Sequence, residues 1–588
     1  MKMSRPVLAH EVLSVTGGMV VAQDRLGARI GTEVLQRGGN AVDAAVTTAF
    51  AMGVLQPLMN GVGGGGMLVA RFASGEAGSV DFGMRAAAAA RPDMYEMEGG
   101  TDRPEAGGLR FSRGYAWPLV KDRANVHGHA AIAVPGTAAG LAAALERWGT
   151  LSLEQALLPA IRLARDGFPI GHHFVLALVG AREAMKRYPA TWQTYFPGGH
   201  PPAVGETVMQ GDHARTLELI ARHGPDGFYR GEVAERIASE MAAHGGTIRQ
   251  EDLAGYRPFV HDTVLEAGYR GYGVLGVPGP NGGTAVAEAL HILDHFDLAG
   301  HGWGSVEALH VVVEAIRRAA VDRYSYLGDH PDAPFDILPE PGYAATRART
   351  ISPHVAGPTA AGDPWAWRGV TRPQDLPAPA GVSADGGTTH ISVVDADRNA
   401  VCLTQTNMSW SGVIVPGVGV MMNNAMTWFY PAPGTVNSIV PGGRGLNNMT
   451  PLILVRDGRL HAVLGASGGR RIWSALVQAC VNHAEFGMGL QQAVQAPRLH
   501  VESDQVLMDG RFGGEVRAGL ENLGHEVTVA TPYYNRSPYA EPNGIQVAGD
   551  ELRSAVYPVA KPTHAAGYPG DTLEDSDAGI DAGMLSHP

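Results

Sequence analysis

An irregular stretch from about Ile351 to Ala384 splits this chain into two halves of different texture, and any fold assigned to it has to place that break. The stretch carries Gly357-Pro358, Asp363-Pro364, Arg372-Pro373 and Pro377-Ala378-Pro379 with no sustained hydrophobic period, which predicts a mobile linker. It runs into Asp385-Gly386-Gly387-Thr388. Ahead of it the pattern is mostly helical, with segments at Ala28–Arg37, Asn40–Leu55, Leu153–Asp166, Ala214–His223, Gly231–His244, Ala285–Asp297 and Val306–Leu327. Behind it the pattern turns to strands: His390–Val394 and Ala400–Thr406, joined by the turn residues Asp395–Asn399, then Leu452–Arg456, Ala462–Gly465 and Val506–Asp509. Helices are expected at Ile472–Phe486 and Leu490–Ala496, and the acidic, Gly-rich end, 562–588, is expected to be disordered.

Composition narrows the function classes. The net charge is −13 and only four lysines occur (Lys2, Lys121, Lys186, Lys561), so no basic patch is available to replace phosphate counterions and no nucleic-acid partner is expected. Cys402 and Cys480 sit in apolar contexts that suit buried thiols rather than a disulfide framework. The first residues lack an apolar run of signal-peptide length and no stretch approaches a membrane span, so a cytoplasmic protein with no membrane partner is expected. His and Cys fall in no metal-ligand spacing, so neither a metal nor another cofactor is expected. The run Gly61–Met67 lacks the Lys-Ser/Thr of a phosphate-binding loop, and close backbone packing beside a site accounts for it better.

Chemistry concentrates at Thr388-Thr389-His390, where two glycines and a loose segment lead into a strand. Glycines let the backbone distort until the Thr388 hydroxyl reaches the carbonyl before it. Attack on the Gly387 carbonyl gives an ester by an N-to-O shift, and hydrolysis of that ester frees the Thr388 α-amine. With a reference pKa near ~7.7, that amine can serve as general base for its own hydroxyl.

The chain resembles the γ-glutamyltranspeptidase family. The resemblance is carried by Gly38-Gly39-Asn40-Ala41-Val42-Asp43-Ala44-Ala45, Gly63–Gly66, Val134-Pro135-Gly136-Thr137, Gly245-Gly246-Thr247 through Asp252-Leu253, Gly387–Asp395, Met422-Asn423-Asn424, Met449-Thr450-Pro451 and Gly465–Gly469, in the family's order from about residue 18 to 555. It implies an α/β (α+β) fold, a four-layer αββα sandwich of the N-terminal-nucleophile hydrolase type. It also implies one precursor cut between Gly387 and Thr388 into a large subunit, 1–387, and a small one, 388–588, acting on a small-molecule amide with water or an amine as acceptor. Carried over by position, Thr388 is the nucleophile, Thr406 supports the α-amine and cleavage, and Gly468 and Gly469 donate backbone N–H groups to the oxyanion. His390 is expected to be packed and hydrogen-bonded rather than catalytic.

The substrate clamp departs from the family pattern. Where the family has an Asp-Phe-Arg-Glu-type segment whose arginine binds the substrate α-carboxylate, this chain has Asp81-Phe82-Gly83-Met84-Arg85. If the strand continues, Arg85 faces the same side about 7 Å further on. The family's glutamine and its ammonium-pairing aspartate are Ala425 and Trp428, its two serines are Asn447 and Asn448, and its asparagine after the second threonine is Met408, with Asn407 one place earlier. Three alternatives follow: an amide hydrolase with a preferred acyl group other than unmodified γ-glutamyl, akin to the cephalosporin acylases; a genuine γ-glutamyltransferase/glutathione hydrolase clamping through Arg85, Asn447 and Asn448; or a non-catalytic binding protein on the same fold.

Overall fold

The computed structural model describes residues 11–101, 117–357, 359–373, 387–502, 504–532, 538–557, 559 and 562–569. Two seven-stranded sheets form its centre. The first runs His564–Gly567, Met19–Ala22, Gly387–Val394, Ala400–Met408, Gly65–Arg71, Ala77–Phe82, Phe259–His261, and every neighbouring pair is antiparallel. The second runs Ser14–Val15, Glu551–Val556, Glu541–Ala548, Arg459–Ser467, Leu452–Arg456, Tyr272–Gly276, Leu265–Tyr269, again antiparallel throughout.

Strand periodicity explains the layering, because alternate side chains leave opposite faces of a sheet. Val20, Ala22, Leu68, Ala70, Ile391, Val393, Val401 and Leu403 pack outward on a helical layer that includes Ala41–Leu55 and Leu153–Asp166. Their neighbours Met19, Val21, Met67, Val69 and Cys402 turn inward and meet Ile453, Val463, Ile545 and Leu552 of the second sheet. On the far face Leu452, Leu454, Leu464 and Ala466 pack on Gly282–Leu293, Val306–Tyr326 and Ile472–Ala484. The result is the four-layer αββα sandwich.

Helix Ala41–Leu55 is buried along its whole length and supports the central strands. Asn40 caps it by accepting from the Val42 and Asp43 amides, while Asp43 accepts in return from the Asn40 amide at 2.8 Å. The Asp395–Asn399 turn closes the hairpin as expected. Asp395 accepts from the Asn399 backbone and side-chain amides, both at 2.9 Å, and from the Ala41 amide at 3.0 Å, which docks the hairpin on that helix.

Two expectations change. The stretch expected to be a mobile linker contains the helix Pro364–Arg368, whose Trp365 is buried edge-on against Tyr326; residues 374–386 lie outside the described residues. An aromatic anchor outweighs the absence of a period there. Within the tail expected to be disordered, His564–Gly567 forms the edge strand beside Met19–Ala22, and 570–588 lie outside the described residues. Among the described residues no helix is long and apolar enough to cross a membrane.

Candidate active site

The strand Gly387–Val394 pairs with Ala400–Met408 in regular register from Val394 back to Thr389, opposite Gln405, and then slips, so that Gly387 faces Met408. The extra residue is on the partner strand, so that Thr406 and Asn407 together stand opposite Thr388, the kind of irregularity that re-aims a side chain. Gly387 is hemmed in: a Cβ there would meet the Met59 sulfur at 2.7 Å and the Met408 carbonyl at 2.9 Å. Only glycine fits before Thr388.

Thr406 stands beside this bond. Its Oγ1 accepts from the Met408 amide at 2.7 Å and donates to the Gly387 carbonyl. A hydroxyl has one proton, so the Met408 contact directs it onto the Gly387 oxygen. Met408 itself has φ +59°, an unusual conformation for a bulky side chain and one that clusters at functional sites.

A buried network that the sequence did not reveal supports the strand. Asn60 donates to Thr389 Oγ1 at 2.7 Å and accepts from Gln405 at 2.7 Å. Gln56 donates to the Gln23 carbonyl, and Gln23 reaches across the sandwich, donating to Ser467 Oγ and accepting from the His390 amide at 3.3 Å. The available signal was Gln23 closing an apolar strand, since a polar side chain there needs buried partners. His390 packs between the sheets, with Nδ1 2.8 Å from Thr404 Oγ1 and Nε2 3.1 Å from Ser392 Oγ. Burial pushes its imidazole down to about 3, so it stays neutral. Gly465 makes room for the ring, because a Cβ there would lie 2.0 Å from His390 Cε1.

Gln23 thus joins the strand after Thr388 to Ser467, and the next residues are Gly468 (φ +132°) and Gly469 (φ +61°). They turn the chain from strand Arg459–Ser467 into the buried helix Ile472–Ala484. A Cβ on Gly468 would meet Ala540 Cα at 2.5 Å. Left-handed glycines at a strand-to-helix junction can expose consecutive N–H groups to an anion.

The run Gly63–Gly66 packs against the end of the Thr406 strand: a Cβ on Gly63 would meet the Met421 carbonyl at 2.3 Å, and one on Gly64 the Thr406 carbonyl and Asn407 Oδ1, each at 2.3 Å. Asn407 is buried and donates to the Pro57 carbonyl at 2.9 Å. Asn447 accepts from the Met449 amide at 3.1 Å, while buried Arg323 donates to the Asn447 carbonyl at 2.6 Å and to Asn448 Oδ1 at 2.9 Å. These three asparagines therefore spend hydrogen-bonding capacity on the protein itself.

Trp428 is 2% exposed and shares an apolar cluster with Met84, Met408, Met426, Phe429 and Met449; its Nε1 is buried without a partner. Gly445 packs on it so closely that a Cβ would lie 2.5 Å from Trp428 Cβ. The strand Ala77–Phe82 ends before Arg85, because Asp81 Oδ1 accepts from the Gly83 amide at 2.9 Å and turns the chain. The two-residue strand period therefore does not carry to Arg85. Its guanidinium lies over Phe259 (4.4 Å) and Tyr256 (5.2 Å) and donates to the Arg257 carbonyl at 2.7 Å. On Phe259 it is matched by Arg444, which pairs with Asp81 at 3.1 Å and Asp329 at 2.9 Å.

Fold and site together define a hydrolase of the N-terminal-nucleophile type. The chain matches the γ-glutamyltranspeptidase family model over residues 27–568 and belongs to that family. It is 34% identical over 572 residues to a glutathione hydrolase proenzyme of Escherichia coli K12, covering 94% of this chain and 92% of that one. It is 36% identical over 515 residues to the acylase ACY 1 proenzyme of Pseudomonas sp. V22, covering 87% of each. The solved cephalosporin acylase from Bacillus halodurans superposes with a TM-score of 0.82 at 27% identity, covering 97% of this chain and 99% of that one. The protein is an enzyme of this family, and both of these relatives are proenzymes.

Proposed function

We propose that Thr388 is both the point of self-cleavage and the nucleophile of turnover. In the precursor, Thr388 Oγ1 attacks the Gly387 carbonyl carbon, the Gly387–Thr388 C–N bond breaks, and the acyl group moves to Oγ1. Water then hydrolyses the ester, leaving a carboxylate on Gly387 and a free α-amine on Thr388. In turnover that amine takes the hydroxyl proton as Oγ1 attacks a substrate amide, and returns it to the departing amine. The acyl-enzyme passes to water or to an amine acceptor. Gly468 and Gly469 hold the oxyanion through their N–H groups. The observation that carries this proposal is the Thr406 hydroxyl donating to the Gly387 carbonyl, in a bulge of its own strand that lies opposite Thr388.

The acyl group we assign is one without an α-ammonium, such as a glutaryl or a related side-chain acyl. Trp428 offers an apolar wall in place of a carboxylate, and no acidic side chain among the described residues pairs with Arg85, whereas Arg444 is neutralised by Asp81 and Asp329. Arg85 is then the cation left for a distal carboxylate. The competing view, a γ-glutamyl clamp built from Arg85, Asn447 and Asn448, has less support because both asparagines are engaged internally.

Mass spectrometry tests the cleavage. The purified protein should resolve into roughly two-thirds and one-third of the chain, the smaller piece beginning Thr-Thr-His. Thr388→Ala should remain one inactive chain. An active enzyme that stays uncut would overturn the assignment.

A further inference from the structure

Away from Thr388, three side chains from two segments far apart in sequence converge. Glu240 and His244 lie four residues apart at the end of helix Gly231–Ala243, so they face the same side. His129 comes from the short turn His129–Ala131. The Gly245-Gly246 bend admits that turn: Gly245 has φ +78°, and a Cβ on Gly246 would stand 3.1 Å from the His129 carbonyl. His129 Nε2 is 3.0 Å from Glu240 Oε1, and His244 Nε2 is 3.6 Å from the same oxygen. The two imidazoles stack with centroids 4.7 Å apart.

One ligand atom from each residue falls within 4.8 Å of the others. Tetrahedral zinc with bonds near 2.0–2.1 Å sets its ligand atoms about 3.3 Å apart, so adjustments of about an ångström suffice. Two imidazoles and one carboxylate suit zinc and its neighbours rather than magnesium or calcium, which take oxygen ligands. The His244 side chain is 54% exposed, which leaves one side of the cluster open to water. We propose that His129, Glu240 and His244 form a zinc-class metal site with a fourth position for water, separate from the catalytic centre.

The site's role is to tie two parts of the structure together. The segment carrying His129 braces the loop that follows Thr406: Gly128 donates to the Ser411 carbonyl at 2.8 Å and Val126 accepts from Asn424 at 2.9 Å. A bound ion fixes that segment to helix Gly231–Ala243. None of the hydrogen bonds of the three side chains reaches Thr388, so zinc holds structure here and takes no part in the reaction.

The test is calorimetric titration of chelator-treated full-length protein with zinc chloride, with the thermal midpoint followed in parallel. Wild type should bind one zinc per chain and its Tm should rise to saturation at one equivalent. His244→Ala and Glu240→Gln should each weaken binding at least about tenfold, since loss of even an outer-shell partner costs that much. His301→Ala, at another exposed histidine, should leave affinity and stoichiometry unchanged. Because His244 is exposed, its variant should keep the zinc-free wild-type Tm. Absence of one-to-one uptake, or weakening below tenfold in either variant, overturns the proposal.

Discussion

Removing the Thr406 hydroxyl while keeping its shape isolates the step that most distinguishes a self-cleaving chain from an inert one. Thr406 Oγ1 accepts from the Met408 amide and can only donate toward the Gly387 carbonyl, the oxygen on which negative charge would develop in the proposed attack by Thr388. Loss of one such donor costs about 10²–10³ in rate, or about 2.7–4 kcal/mol of activation free energy. Thr406→Val should therefore slow the appearance of the small subunit by about that factor. Thr406→Ser, which restores the proton, should stay within about tenfold of wild type. The valine also leaves the buried Met408 N–H without its partner, at a cost of about 1–3 kcal/mol. A thermal midpoint measured on each uncut precursor separates this loss from the kinetic effect. The assay is a gel time course on precursor produced at low temperature and then warmed. A folded Thr406→Val precursor that matures at the wild-type rate would refute the argument, because the polarised carbonyl would then contribute nothing.

Other consequences follow from the same contacts. Gly465→Ala should destabilise the protein by about 1–3 kcal/mol, since its Cβ would stand 2.0 Å from His390 Cε1, and pairing it with His390→Ala should recover part of the loss; strict additivity of the two would show that they do not collide. His390 and His213 are pushed by burial to about 3 and about 4, below the ordinary value of 6.5, so the unfolded chain takes up their protons first as pH falls. Stability from this source is complete above about pH 6.5 and should decline by up to about 1.4 kcal/mol per pH unit for each as pH drops toward 4; a Tm that stays flat across that window would contradict it. A glutaryl anilide should be cleaved with roughly 10–150-fold higher kcat/KM than its γ-glutamyl counterpart, matching a missing charge-assisted contact of about 1.5–3 kcal/mol, and Trp428→Asp should shift the ratio toward γ-glutamyl. A wild-type preference for γ-glutamyl of about tenfold or more would remove the assigned acyl group.

Much of the machinery was legible because it lies on regular strands. The strands His390–Val394 and Ala400–Thr406 and the buried Cys402 were readable, and the Asp395–Asn399 turn set the hairpin that brings Thr406 back beside Gly387. The two-sheet layering came from resemblance, since a period says which face is buried but not what covers it. The strand period could not be extended to Arg85, because the strand ends at Phe82, where the Gly83 amide donates to Asp81. His129, Glu240 and His244 fit no ligand spacing because the first is far in sequence from the other two and only the Gly245-Gly246 bend brings it near. Long-range polar partners of this kind leave no local pattern.

That asymmetry bears on how one scaffold accommodates both glutathione hydrolases and acylases. Thr388, the Thr406 donor and the turn at Gly468 sit within the ladders and cross-sheet contacts of the core, and the glycines around them are packed tightly: Gly387 on Met59 and Met408, Gly465 on His390, Gly468 on Ala540. A change at any of them disturbs packing as well as chemistry. The positions proposed to set the acyl group differ. Ala425 and Trp428 belong to a short helical turn in the connection between strands, and Asn447 and Asn448 to an irregular segment, where a new side chain alters a wall without breaking a ladder. Gly445 gives Trp428 local room, since a Cβ there would lie 2.5 Å from Trp428 Cβ. On the proposed reading the reaction is held by the sandwich, and the choice of acyl group is left to residues in its connections.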